Sequence, residues 1–385
     1  MKKLAIIGGG NMASIFAENA AEMGIETHCF SLEKGIVDKN KFDYIHSIDI
    51  LNRNGVLDMC KKININGVVA TTELTIAVAA YVAEKMGLIG IPFKIADIIT
   101  DKYRNREVSK NVIGLYNPKY SEITSIKDIM QLQLNFPIIL KPISKGGKRG
   151  ITVVKYENEL KNAFEYAIKE SNGKLPLIVE EYIDGGIECS VESLSYKGKN
   201  YIIQVTEKIT SGAPHCVELA HHQPARISIS MRKHIEKIID NALTSIGLTN
   251  GACHTEIKIK NGKVYLIEFN ARPGGDHIAY PLTELSTGFS YIKGAIKIAL
   301  GEFEDINVSQ LENKYAGVLF VTKQTENLVP IYQDCELHSW CYKKNHVTDE
   351  LQSIVHNDGF NINYFIYYDD SRPDFLKNMK SFDVL

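Results

Sequence analysis

Short apolar runs alternate with longer mixed segments along most of this chain, and the alternation predicts its elements. Residues 4–10 (LAIIGGG) read as a strand entering a glycine turn, and 11–24 as a helix. Residues 26–32, 44–50 and 67–72 read as further strands, and 75–87 as a helix ending at Gly87. Strand and helix in turn over residues 1–98 predict a small parallel sheet with helices on both faces. A small α+β unit follows. It has a helix over 125–134, strands over 136–143, 151–156 and 175–183, and a helix over 159–171. Residues 188–196 and 200–210 read as paired strands, 226–247 as a long helix, and 281–302 as a helix-rich return. Residues 314–322 and 362–370 are predicted strands in a C-terminal stretch that carries no chemical motif.

The centre of the pattern is 251–280, GACHTEIKIKNGKVYLIEFNARPGGDHIAY. Two β-branched and aromatic runs flank Asn261-Gly262, a strong hairpin signal. Glu256 and Glu268 sit toward the far ends of the two strands. Glu268, Asn270 and Arg272 alternate, so in extended chain they share a face. Two acids and an amide form an all-oxygen set suited to Mg²⁺ rather than zinc. Arg272 adds a planar fork for carboxylate or phosphate, and the following Gly274 and Gly275 offer bare N–H groups. One constraint is sharp. A regular two-residue hairpin places Glu256 opposite Ile267, which turns the two glutamates to opposite faces. A shared metal therefore requires a bulge, or a loop of odd length, in this hairpin.

Length and composition narrow the classes. With 385 residues the chain has room for two or three domains. The net charge of −2 argues against a general nucleic-acid or anionic-membrane binder. No stretch is long and apolar enough to span a membrane, and the start does not read as a secretory signal. Seven scattered cysteines without metal-type spacing fit a reduced cytoplasmic protein. Gly8, Gly10 and Ala13 match a dinucleotide fingerprint, which keeps an NAD-dependent oxidoreductase open. The same glycines also serve as a plain strand-to-helix turn. Other chemistry is scattered. Lys102 opens a helix for which Thr100 is a plausible N-cap. Lys141 lies inside an apolar strand, where burial is costly unless an anion meets it. Residues 144–150 (SKGGKRG) form a glycine-rich loop whose N–H groups could wrap phosphate. His215, His221 and His222 invite a zinc reading, but their spacing is not that of a helix-borne ligand pair.

Glu256, then Glu268-Phe-Asn270-Ala-Arg272, then Pro-Gly-Gly-Asp-His, resemble the metal-binding end of the ATP-grasp ligases. The Gly-Gly-Asp-His-Ile continuation most resembles the L-amino acid ligases and related carboxylate–amine ligases. The resemblance covers roughly residues 1–305. It implies a biotin-carboxylase-like architecture mixing α/β and α+β parts. A Rossmann-like pre-ATP-grasp domain would span 1–98 and an ATP-grasp domain 99–305. The mobile lid would fall at about 113–183, and residues 306–385 would complete a last, antiparallel-sheet domain. It further implies ATP and Mg²⁺ (or Mn²⁺) as cofactors, the metal on Glu256, Glu268 and Asn270. Lys102, Lys141, Gly146 and Gly147 would meet the phosphates. Glu180, Glu181, Tyr182 and Ile183 would take the adenine, and Glu188 the ribose. Arg272 and Lys208 would be catalytic, with Glu73, His215, Glu218, His221, Gly274 and Gly275 on the substrate side. Arg149 departs from the small residue expected at its place in the lid, and residues 217–225 (VELAHHQPA) resemble a loop of the ligase subgroup that precedes a long helix. The implied reaction joins a small carboxylate to a small amine as an amide, dipeptides included, through an acyl phosphate. ADP and phosphate are released, and a homodimer is the implied assembly. Biotin-carboxylase-like, carbamoyl-phosphate-synthase-like and phosphoribosylglycinamide-synthetase-like reactions are the alternatives within the superfamily.

Overall fold

A computed structural model describes residues 1–132 and 134–377. Three sheets organise them. The first holds strands Lys3–Ile7, Glu26–Ser31, Tyr44–Ser47 and Gly67–Ala70, all parallel, in the order third-second-first-fourth. Helices Asn11–Glu22 and Glu73–Lys85 follow the first and last of these strands. Two further helices, Arg53–Ile63 and Phe93–Ile99, were not anticipated from the pattern. Burial of Leu4, Ile6, Phe16 and Ala20 on one face, and of Ile7, Phe30, Val56 and Val82 on the other, explains the unbroken apolar runs.

The second sheet is the body of the molecule. Nine strands run in the order Cys341–Asn345, Asn363–Asp369, Tyr315–Val321, Glu218–Gln223, Lys199–Thr210, Ile187–Tyr196, Gly251–Lys260, Lys263–Asn270 and Leu115–Tyr116. All neighbours are antiparallel except the last pair. The C-terminal strands thus extend the central sheet. Residues 217–225, read from sequence as a loop, contain the strand Glu218–Gln223, which joins the two halves. The long helix Ile229–Ile246 is capped by Ser228 and ended by Gly247 at φ +80°, where a side chain would be strained. Its apolar stripe, Ile235, Ile239, Leu243 and Ile246, lies on the sheet face carrying Val191, Ile257, Leu266 and Phe269.

A third, four-stranded sheet carries Tyr120–Ile123, Leu177–Glu181, Ile138–Pro142 and Thr152–Val154, with helices Ile126–Gln131 and Leu160–Glu170. This is the predicted α+β unit. Its first helix stops short of the expected 125–134, part of which, residue 133, lies outside the described residues. Helix Lys102–Ser109 corrects another expectation. Its N-cap is Asp101, whose carboxylate accepts the Arg104 N–H at 2.9 Å, and not Thr100.

The central hairpin contains the irregularity its chemistry demanded. Lys260 pairs with Lys263, and the register runs regularly to Ile257 opposite Leu266. There it shifts, and Glu256 stands opposite Glu268, so Ile267 is the extra residue of a bulge. Cross-strand partners share a face, which brings both carboxylates to one side. Phe269, on the other side, is fully buried in the helix-facing core. Truncating it (Phe269→Ala) should cost about 3–5 kcal/mol in denaturant unfolding.

Candidate active site

The hairpin's acidic face lies under the third sheet, and the space between them is a cavity of about 150 Å³ that opens to solvent. Lys102, Arg106, Lys141, Lys145 and Lys148 supply cations to its lining, and Glu73, Glu180, Glu188, Glu218, Glu256 and Glu268 supply acids. Burying so many ionised groups is tolerable only through pairing. Lys102 Nζ donates to Glu268 at 2.8 Å and to the Lys145 carbonyl at 2.9 Å. Lys208 Nζ lies 2.7 Å from Glu218 and 3.1 Å from Glu256. Lys148 reaches Glu188 at 3.1 Å and both Glu218 and Glu256 at 3.9 Å. Burial pushes the Glu256 carboxyl up, but Lys208 and Lys148 outweigh it and hold the group well below the usual range. Burial likewise opposes the charge on Lys102, and Glu268 more than restores it.

A second network sits beside the first. Glu180 accepts from Arg106 Nε at 2.6 Å and from Lys141 Nζ at 2.5 Å. The Glu180 carboxylate, expected from the resemblance to serve the adenine, is therefore committed to these two cations. Burial raises its pKa, but Arg106 and Lys141 win and hold it at about 2. Burial and the neighbouring Arg106 lower the Lys141 pKa despite the Glu180 pairing. Arg106 was overlooked in the sequence. It stands four residues after Lys102, one helical turn on, and that spacing was the available signal. Its Nη1 is buried without a partner. An unpaired guanidinium N–H in a cavity wall suits an anion such as a phosphate oxygen.

The hinge residues Glu181, Tyr182 and Ile183 line the same cavity. The N–H groups of Glu181 and Tyr182 already bond the Lys119 and Pro137 carbonyls. Gly146 and Gly147 lie in the loop above the hairpin. A side chain at Gly146 would strike the Glu73 carboxylate at 1.8 Å and force it aside, so glycine keeps this approach open. Glu73, in turn, accepts from Arg272 Nη2 at 2.7 Å. Burial works against both charges, but mutual attraction lowers the Glu73 pKa and raises that of Arg272.

Some expected residues lie elsewhere. His215 bonds the Ile151 carbonyl at 3.0 Å and packs on Tyr166, outside the cavity lining. A side chain at Gly274 would meet His254, and it is Gly275 that lines the cavity. His221 stands behind Glu218, its Nε2 3.0 Å from the carboxylate. Asn270 is buried opposite His254, just past the Glu256–Glu268 pair, with its Nδ2 unpartnered.

Residues 306–385, silent in sequence, contribute a wall. Asn357 donates its N–H to the Gly147 carbonyl at 3.0 Å. Its side-chain oxygen accepts the Glu218 N–H at 2.9 Å. Gly359 N–H donates to Asp276 Oδ1 at 3.1 Å.

The chain that builds this cavity is similar to known proteins. Residues 134–280 match the model of the ATP-grasp domain. The chain carries an ATP-grasp domain. It is 26% identical over 342 residues to the 2-oxoglutarate carboxylase small subunit of Hydrogenobacter thermophilus, covering 82% of this chain and 70% of that one. The L-amino acid ligase of Bacillus licheniformis has the same fold, with a TM-score of 0.80 at 20% identity, covering 100% of this chain and 97% of that one. So does N5-carboxyaminoimidazole synthetase from Staphylococcus aureus complexed with ADP, at TM-score 0.77 and 15% identity over 99% and 97% of the two chains. This ATP-grasp chain is an enzyme of the ADP-forming ligase type, with ATP and Mg²⁺ as its cofactors. The residues present fit both. Arg106 Nη1 awaits an acceptor, and two cross-strand carboxylates offer hard oxygen donors.

The Glu180 network sets a pH prediction. Its folded pKa of about 2 lies below the ordinary 4.5. The resulting stability is present above pH 4.5 and is lost as pH falls through about 2. Urea unfolding of the wild type should therefore weaken across this window more steeply than that of Glu180→Gln.

Proposed function

We propose that this ATP-grasp enzyme is a carboxylate–amine ligase that activates a small carboxylate as an acyl phosphate and joins it to an amine. The observation that carries the reading is the Glu256–Glu268 pair brought to one face by the Ile267 bulge, beneath the lysines of the glycine loop. Glu256 and Glu268, with Asn270 beside them, would hold Mg²⁺. When bound, the metal offsets the phosphate charge that builds during phosphoryl transfer.

The chain's own groups do the rest. Lys102, Lys141 and the unpaired Arg106 N–H bind and orient the triphosphate, and the hinge 180–183 and Glu188 border the nucleoside. Arg272, held by Glu73 at 2.7 Å, keeps its fork directed for the substrate carboxylate and the phosphoryl group it receives. Lys208 keeps Glu256 and Glu218 ionised and in place. The loop 144–150, tied to Asn357 and to Lys102, excludes water from the activated acyl group. Seven unbridged cysteines support a reducing, cytoplasmic setting. Among the described residues no helix is long and apolar enough to cross a membrane. The homodimer belongs to the same proposal and is read from mass in solution.

Phosphate release with Mg-ATP, screened over pairs of amino acids with bicarbonate as control, tests the reading. Amine-dependent release supports it, whereas release that needs only bicarbonate points to a carboxylase-like reaction. Glu268→Ala should remain folded yet form no ADP. Turnover at the wild-type rate in that variant would remove the metal assignment.

A further inference from the structure

One wall of the cavity holds an unusual acid. Asp276 lines it beside Glu218, with His221 behind. One ligand-type atom from each of these three lies within 4.8 Å of the others, the spacing of a metal site. Glu218 already has the Lys208 ammonium at 2.7 Å, the Lys148 ammonium at 3.9 Å and His221 as partners, so its charge is answered without a metal. The acid of this cluster with an oxygen left open is Asp276.

The two acids are held differently. Glu218 is fixed by Lys208, by His221 and, through its N–H, by Asn357. Burial raises its pKa, but Lys208 and the contact with His221 keep it ionised. Asp276 has no ion pair among the described residues. Its Oδ1 accepts the Gly359 N–H at 3.1 Å, and no donor is recorded for Oδ2. A side chain at Gly359 would come within 2.8 Å of Oδ1, so the segment that orients Asp276 also closes tightly on it. Burial, then the negative charge of Glu218, push the Asp276 carboxyl up to about 6, against His221, Lys208 and the Gly359 N–H. The adjacent His277 is buried against Phe360 and Tyr364 and held neutral, so it adds no charge. Near neutral pH, Asp276 is thus an ionised carboxylate with a modest avidity for protons and an open oxygen.

The ligase reading, on which this inference rests, creates a need for such a group. An aliphatic amine arrives as an ammonium and cannot attack an acyl carbon until it loses a proton. We infer that Asp276 is the general base for the amine, in a subsite for primary ammonium groups that it shares with Glu218. The ammonium gives one proton to Asp276 Oδ2, and the freed lone pair forms the C–N bond. The C–O bond to phosphate breaks, and the phosphate leaves with the electron pair. The second N–H proton goes to that phosphate, and Asp276 returns its own proton to solvent through the cavity mouth. An acyl phosphate and an ammonium become an amide, hydrogen phosphate and one proton, which balances.

Hydroxylamine separates this role from the ligase reading, because its nitrogen is unprotonated at neutral pH and traps acyl phosphates as hydroxamates. The full chain is assayed with Mg-ATP and the twenty standard amino acids as carboxylates. Either hydroxylamine or the same amino acids serve as the amine. In Asp276→Asn the ratio of amide to hydroxamate should fall about 100-fold, within the range of a lost general base. Asp276→Glu should recover part of that ratio. In the wild type, amide formation should decline as pH drops through about 6, because the base must be ionised. An unchanged ratio in Asp276→Asn, at a thermal midpoint matching wild type, overturns the base. So does an equal loss of both products, which would mark a pocket-shaping role. Wild-type protein that forms neither product removes the ligase reading and the base together. Hydroxamate with no amide from any amino acid removes the ammonium subsite alone.

Discussion

Two buried carboxylates can face one another only if something cationic is close, and this requirement shapes the whole molecule. Glu256 and Glu268 occupy directly opposed positions on neighbouring strands. Like charges so placed repel. Lys208 answers one and Lys102 the other, and Lys148 descends from the loop above to share the load. Each of those lysines comes from a different part of the chain. The pairing therefore draws the central sheet, the helix Lys102–Ser109 and the glycine loop onto a common cavity.

The same economy explains why the site is built on rigid elements. The acids sit on adjacent strands of a nine-stranded sheet, whose other face is packed by the helix Ile229–Ile246. The Ile267 bulge is a local departure from a regular ladder, and its consequence is a change of face for everything beyond it. By contrast, the groups that must accommodate a ligand come from loops and edges. Gly146 approaches Glu73 where a side chain would force the carboxylate aside, and Asn357 ties Gly147 to Glu218. Acids on strands below and a glycine loop above suit the proposed ligase, whose activated acyl group would need shielding from water.

Much of this was legible in residue pattern. The parallel sheet, the α+β unit and the hairpin follow from apolar runs punctuated by glycine and Asn-Gly. The need for a bulge followed from counting residues between two glutamates. What escaped were features whose signal is weak or distant. Residues 217–225 carry histidines, a glutamate and Pro224, so they read as a loop. Burial between two strands makes a strand of Glu218–Gln223. Arg106 was given no role from the sequence and is fully packed against Glu180. His215 was expected on the substrate side with Glu218 yet turns toward Ile151 and Tyr166.

By itself, then, the sequence determined the local order of elements and which side chains alternate onto a shared face, because both depend on neighbours a few residues apart. Pairing was decided by tertiary structure alone. Glu73 meets Arg272 across 199 positions, Lys102 meets Glu268 across 166, and Glu218 meets Asn357 across 139. No periodicity encodes such distances, and the charge state of Asp276 depends on a glutamate and a backbone N–H that only folding brings beside it.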